Sequence, residues 1–390
     1  MPDTFPIVTA DRQRPFDEAE FARRLERVQA AMTEHDLDAL LVTDPSNVYY
    51  LTGYQTFGNA QQFLVVPGTG TPVFVLRELE SPLVRYTTWL SDVISFADSE
   101  PLLDALKRAC RAHDAFRRVG LDYQSASLPV SLYQAIIAEF TQWSVVDGQG
   151  ILDRCRAVKS PAEHALCREA ARLTDIGMGA AIDASVAGAN ENTVAAAAGE
   201  AMVSAGSEWF ANDPIVTAGR RSAIPHTTFC RYPLANGDPV ILEMSASYFR
   251  YFGPLMRSVA VGHAPDQVQE FHTTCELALA AALDALRPGV TSDHVHMAAQ
   301  RVVDERGHTD YFRKRLGYSI GIGMSSWNEG RIFDLKAGDS RPIEAGMVFH
   351  MPPALRLPGG FGVGVSETAI VTEAGCEPLS KLPRTLTVRA

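Results

Sequence analysis

From residue 160 onward the chain runs through one order of elements twice: a pair of long helices then strands, and a second helix pair then strands. No residue-level repeat accompanies this order, yet it restricts the fold more tightly than any single motif. Ser160-Pro161-Ala162-Glu163 opens the first helix: Ser160 can cap it, Pro161 fits its first turn and Glu163 completes a capping box. The spacing predicts alanine-rich helices from about Pro161 to Ala187 and Glu191 to Ala205. Strands are expected over Pro239 to Met244 and over Tyr248 to Arg257, the latter alternating as an antiparallel strand does. A second helix pair is expected over about Gln267 to Leu286 and Ser292 to Gly307, then closing strands over Gly346 to Met351 and Val363 to Thr372. Helices covering one face of a curved antiparallel sheet would leave its other face to form a pocket.

The first 150 residues read differently. Glu18 to His35 carries Phe21, Leu25, Val28 and Met32 at helical spacing, and the apolar run Ala39-Leu40-Leu41-Val42 follows. Asp44-Pro45-Ser46-Asn47 reads as turn chemistry. Further apolar runs at Phe63 to Val66, Pro72 to Leu76 and Val119 to Leu121 alternate with helical stretches such as Pro101 to Ala112. This is the signature of a small α/β domain with helices packed on a mixed sheet. The expected division is therefore residues 1–155 and 156–390, and 390 residues suit two domains of ordinary size.

Charge and composition narrow the function classes. A formal net charge of −11 argues against nucleic acid or an anionic membrane as the main partner. The longest apolar runs are far too short to span a bilayer. Six scattered cysteines with no CxxC pair, behind a polar N-terminus that contains acidic residues and two prolines, point to a reducing cytoplasm. The glycine spacing in Gly317-Tyr318-Ser319-Ile320-Gly321-Ile322-Gly323 lacks a βαβ context, which excludes a dinucleotide loop. The His294/His296 and His263/His272 pairs have no converging carboxylates and are expected on solvated faces.

Asp44-Pro45-Ser46-Asn47 with Leu51-Thr52-Gly53-Tyr54, Lys159 to Glu163, Gly346-Met347-Val348-Phe349 and Val371 to Gly375, in this order, resemble the peptidase M24 family across essentially the whole chain. The resemblance implies a creatinase-like N-terminal α/β domain and a C-terminal pita-bread domain, an α/β (α+β) fold. Metal-dependent members bind two ions through two aspartates, a histidine and two glutamates. Carried across, those positions fall at Glu243, Pro254, Tyr318, Pro352 and Ser366, and a second histidine falls at Ser325. Only Glu243 keeps a carboxylate, with Glu367 adjacent to the last position, so the resemblance implies no metal and no cofactor. Ala223-Ile224-Pro225-His226 resembles the family segment whose histidine faces the substrate. Leu242-Glu243-Met244-Ser245 and Arg250-Tyr251-Phe252-Gly253-Pro254-Leu255-Met256-Arg257 are similar to the branch that contains ectoine hydrolase, as are Gly317-Tyr318, Phe349-His350 and Glu367. Gly364 replaces a glutamate expected there, and the stretches around Ser325 to Arg331 and Pro352 to Gly364 differ.

What this branch implies is a metal-independent hydrolase that opens a small cyclic amidine carboxylate. An amidinium carbon is already electrophilic and needs no metal to polarise it, whereas an empty cage of carboxylates would repel itself. Glu243 is the expected nucleophile and His226 the acid/base. Tyr318, His350 and Glu367 are expected to orient the cation, with Tyr251, Ser325 and Trp327 nearby, and Arg221, Arg220 or Arg257 to hold the substrate carboxylate. Against this, Glu243 could serve structurally, paired with Arg250 or Arg257. A creatinase-like amidinohydrolase and a non-catalytic small-molecule-binding protein are the competing functions. The resemblance also implies a homodimer in which the segment from Tyr54 to Gln61 lines the neighbour's site.

Overall fold

The computed structural model describes residues 7–56, 61–111, 115–312 and 314–390. The chain forms two compact units, Met1–Arg156 and Ala157–Ala390. In the first, six strands make one mixed sheet in the order Val93–Phe96, Val73–Arg77, Phe63–Pro67, Ala39–Val42, Arg118–Leu121, Ser144–Asp147. Leu41, Val65, Val75 and Val119 face one core, covered by Leu102, Ala105, Leu106 and Ala109 of the helix Leu102–Cys110. Asp44-Pro45-Ser46-Asn47 is not a free turn but a helix start. The Asp44 side chain accepts from the Asn47 N–H and Pro45 occupies the first turn of the helix Pro45–Thr52, because capping and turn chemistry draw on the same residues. Tyr54 is buried, with its hydroxyl on Glu80; positions 57–60 of the segment expected to reach a partner lie outside the described residues.

The second unit carries the doubled order in space. Helices Pro161–Ala184 and Glu191–Ser204 pack on a four-stranded sheet ordered Thr387–Arg389, Leu255–Val261, Pro239–Met244, Ile215–Ala218. Helices Asp266–Ala285 and Ser292–Glu305 pack on a five-stranded sheet ordered Asp334–Leu335, Gly317–Ser319, Val348–Met351, Glu367–Thr372, Gly375–Pro378. Ser160 and Glu163 form the capping box that their spacing predicts. The hairpin Ala354–Arg356 with Gly362–Gly364 adds two strands beside the first sheet's inner face.

The expected strand from Tyr248 to Arg257 is broken. Ser247–Tyr248 and Tyr251–Phe252 form a hairpin, and the long strand starts only at Leu255. Phe249 and Arg250, at φ 47° and 60°, make a two-residue turn in the left-handed region, a turn usually built from glycine and asparagine and so invisible to a composition rule. Two of the four histidines expected on solvated faces are buried instead: His272 is 1% and His296 6% exposed.

Candidate active site

Strand alternation decides what the pocket sees. Along Pro239–Met244, Val240, Leu242 and Met244 pack under the first helix pair, so Ile241 and Glu243 point to the other face. In the adjacent strand Val216 and Ala218 pack likewise, leaving Ile215 and Thr217 on Glu243's side. Glu243 is flanked by Ile215 on one neighbouring strand and Met256 on the other. Ile215, Thr217 and Glu243 form one wall of a cavity of ≈ 480 Å³. Tyr318 and Pro352, from the second sheet, face it, with Trp327 and Asn328 from the loop between.

Glu243 is the carboxylate lining this cavity among the described residues, and no hydrogen-bond or ion-pair partner engages it. Burial raises its pKa, while Lys314, Arg356 and His226 oppose that rise. Lys314 and Arg356 form the positive pole facing it. Lys314 is exposed as a whole residue, but desolvation pulls its pKa down to about 8, against the attraction of Glu243. Arg356 is half-buried; burial lowers its pKa, Glu243 raises it, and one of its N–H groups is anchored on the Ser222 carbonyl. Arg315 also lines the cavity, but its charge is balanced by Asp334 at 2.8 Å.

His226 reaches the cavity from an exposed loop. Its φ is 59°, a left-handed conformation that costs a non-glycine residue on the order of 1 kcal/mol and persists only when its surroundings enforce it. The enforcing contact is visible. Glu191, fully buried at the start of its helix, accepts from the N–H of Ala218, the Arg221 guanidinium and the N–H of Cys230. Arg221 in turn donates to the Thr228 carbonyl. One carboxylate thus ties together both ends of the loop that presents His226.

Tyr318 lines the same cavity as Glu243, and burial together with that carboxylate pushes its pKa up, so it is a phenol at any working pH. The Trp327 indole N–H donates to its hydroxyl at 3.0 Å. Behind it, His350 Nδ1 lies 3.0 Å from the same oxygen, and His350 Nε2 lies 2.7 Å from Ser366 Oγ. Burial and the Lys314 and Arg257 charges drive the His350 pKa well below its ordinary value, so this imidazole is neutral.

Of the catalytic and substrate-binding residues expected from the sequence, Glu243, His226, Tyr318 and Trp327 meet in the cavity. The others do not line it. His350 sits behind Tyr318. Arg221 is spent on Glu191. Glu367 accepts from Arg257 and Arg384, and Arg257 also donates to the Ser366 and Pro383 carbonyls, so neither belongs to the pocket and Arg257 does not pair with Glu243. The other partner considered for Glu243, Arg250, lies over the Trp209 ring at 3.6 Å. The Tyr251 hydroxyl donates to Glu163 in the interior. Ser326, not Ser325, faces the cavity, and Arg220 is not among its walls. The residues that sequence reasoning missed are Lys314, Arg315 and Arg356, together with Asn212 and Thr217. A signal for two of them existed: Arg313-Lys314-Arg315 is a basic run in an acidic chain, directly before Gly317-Tyr318.

A pair of divalent ions needs several converging oxygen donors and an imidazole. Here one carboxylate faces an ammonium and a guanidinium, which repel a metal cation. Among the described residues no group of three histidines, cysteines, aspartates or glutamates comes together. The residues present do not fit a dinuclear metal centre.

The sequence model of metallopeptidase family M24 matches residues 165–373, and that of the creatinase/prolidase N-terminal domain matches residues 24–158. An uncharacterized hydrolase/peptidase of Sinorhizobium fredii is 30% identical over 96% of this chain and 98% of its own length. An ectoine hydrolase of Halomonas elongata is 27% identical over 96% and 98%. Among solved structures, a dipeptidase from Mycobacterium ulcerans superposes with a TM-score of 0.82 at 27% identity, covering 96% of this chain and 99% of that one.

Proposed function

The chain belongs to metallopeptidase family M24, and on that premise we propose that it is a metal-independent hydrolase of a small cyclic amidine carboxylate, ectoine being the first substrate to test. Likeness alone does not choose between substrates, since one relative is an ectoine hydrolase and a structural neighbour a dipeptidase. The observation that carries the choice is the polarity of the cavity: one free carboxylate, Glu243, faces the cations Lys314 and Arg356. A zwitterion with an amidinium at one end and a carboxylate at the other is complementary to that arrangement. A dipeptide is also a zwitterion, but its scissile amide carbon is neutral and calls for a Lewis acid that this donor set does not hold.

In this reading Lys314 and Arg356 take the substrate carboxylate, a role expected of Arg220, Arg221 or Arg257 in the sequence. Glu243 adds through a carboxylate oxygen to the amidinium carbon, and the electrons of the C=N bond pass to nitrogen. His226 protonates the ring nitrogen as its C–N bond breaks, then takes a proton from the water that releases Glu243. One water is consumed, giving an amide and an amine. The homodimer implied by the resemblance is part of the same proposal.

Proton NMR of the purified protein with ectoine, creatine and an Xaa-Pro dipeptide in parallel tests the substrate. An N-acetylated diaminobutyrate from ectoine is expected. Turnover of creatine alone would shift the reading to an amidinohydrolase, and cleavage of the dipeptide alone would overturn it.

A further inference from the structure

We propose that Tyr318 is a fixed hydrogen-bond donor to the reacting carbon's oxygen, its proton turned into the cavity by a tautomer of His350 that Ser366 dictates. The Met256 N–H donates to Ser366 Oγ at 2.6 Å. Ser366 is fully buried, and His350 Nε2 at 2.7 Å is the acceptor available to its own proton among the described residues. Were Nε2 protonated instead, Ser366 would accept twice and bury an O–H with no partner, the arrangement folded proteins avoid. Ser366 therefore donates to Nε2, which leaves the proton of this neutral ring on Nδ1.

Nδ1–H then donates to the Tyr318 hydroxyl oxygen at 3.0 Å, and the Trp327 indole N–H donates to the same oxygen at 3.0 Å. Both acceptor positions of that oxygen are filled. Its proton has one direction left, toward the cavity that Tyr318 lines with Glu243. Cross-strand pairing holds the geometry: Tyr318 and His350 are direct partners on neighbouring strands, with their rings packed edge to face at 5.4 Å. The substrate contact rests on the hydrolysis proposed above, whereas the direction of the proton does not. Hydrolysis of any C–N bond places an oxygen on the attacked carbon, and a donor already aimed at that point stabilises it without reorganising. Tyr318 gives up no proton in this role. His350 is a positioning residue and touches no substrate.

The first test needs no substrate. In the ¹⁵N-histidine-labelled protein, with the His350 signals assigned by their loss in His350→Asn, Nδ1 should carry the proton and Nε2 should be bare. A protonated Nε2 would overturn the proposal. The second test uses turnover. Tyr318→Phe should lower kcat about a hundredfold with little change in KM. His350→Asn, whose amide nitrogen falls near Nδ1, should retain most of the activity, while His350→Gln, whose amide nitrogen falls near Nε2, should fall with Tyr318→Phe. Full activity in Tyr318→Phe, or equal loss in Asn and Gln variants of matched melting temperature, would contradict it. If no amidine is turned over, the hydrolase reading fails and the NMR result still decides the relay.

Discussion

Glu243 lies on the inner face of a strand whose other face is apolar, and its neighbours set both its charge and its use. In the proposed reaction the alkaline limb of activity should belong to Lys314. Its pKa is lowered to about 8, so it is charged below that pH and neutral above it. Affinity for the substrate carboxylate should therefore be full below pH 8 and fall as pH rises through it. Lys314→Met should raise KM by about tenfold or more at pH 7, in line with a lost charge-assisted hydrogen bond, and should remove the alkaline dependence of KM. A steady-state pH series on both proteins measures this; an unchanged KM would remove Lys314 from the site. On the acid side Glu243's raised pKa works in the opposite sense: protonation disables the nucleophile at a higher pH than for an ordinary glutamate. Residue types were legible where a motif carried them, as for Glu243, His226 and Tyr318. Arg356 was not, because it follows no motif and meets Glu243 only through the fold, whereas Lys314 stood in a basic run directly before Gly317-Tyr318 that no family motif singled out.

At the scale of elements, the loop that presents His226 is held as a unit by Glu191. Glu191→Ala would leave the partly buried Arg221 charge and the N–H groups of Ala218 and Cys230 without their acceptor. Breaking such a pair costs about 3 kcal/mol. Urea unfolding should show that loss, and kcat should fall in the surviving folded fraction because His226 is no longer held at its positive φ. Wild-type stability would contradict the clamp. The four long helices of the second unit were readable to within a few residues because capping boxes and apolar spacing are local signals: Pro161–Ala184 begins where Ser160 and Glu163 require. Strand breaks were less readable. The Phe249-Arg250 turn is held by surrounding structure and not by a turn-forming residue.

At the scale of the whole molecule, two helix pairs on two sheets turn the doubled order of the sequence into walls that enclose one cavity. Among the described residues no helix is long and apolar enough to cross a membrane. The proposed homodimer predicts a sedimenting species of about twice the 42.4 kDa chain mass at assay concentrations; a monomer with full activity would remove it. The central claim is that a carboxylate between cations replaces a metal pair in this chain. The most direct measurement is ectoine turnover by chelator-stripped protein, followed by proton NMR, with wild type and Glu243→Gln compared with and without added divalent metal. Wild type should give the same N-acetylated product whether or not metal is added, and Glu243→Gln none although it still binds the substrate. Turnover that appears only with added metal, or that survives in Glu243→Gln, would contradict it.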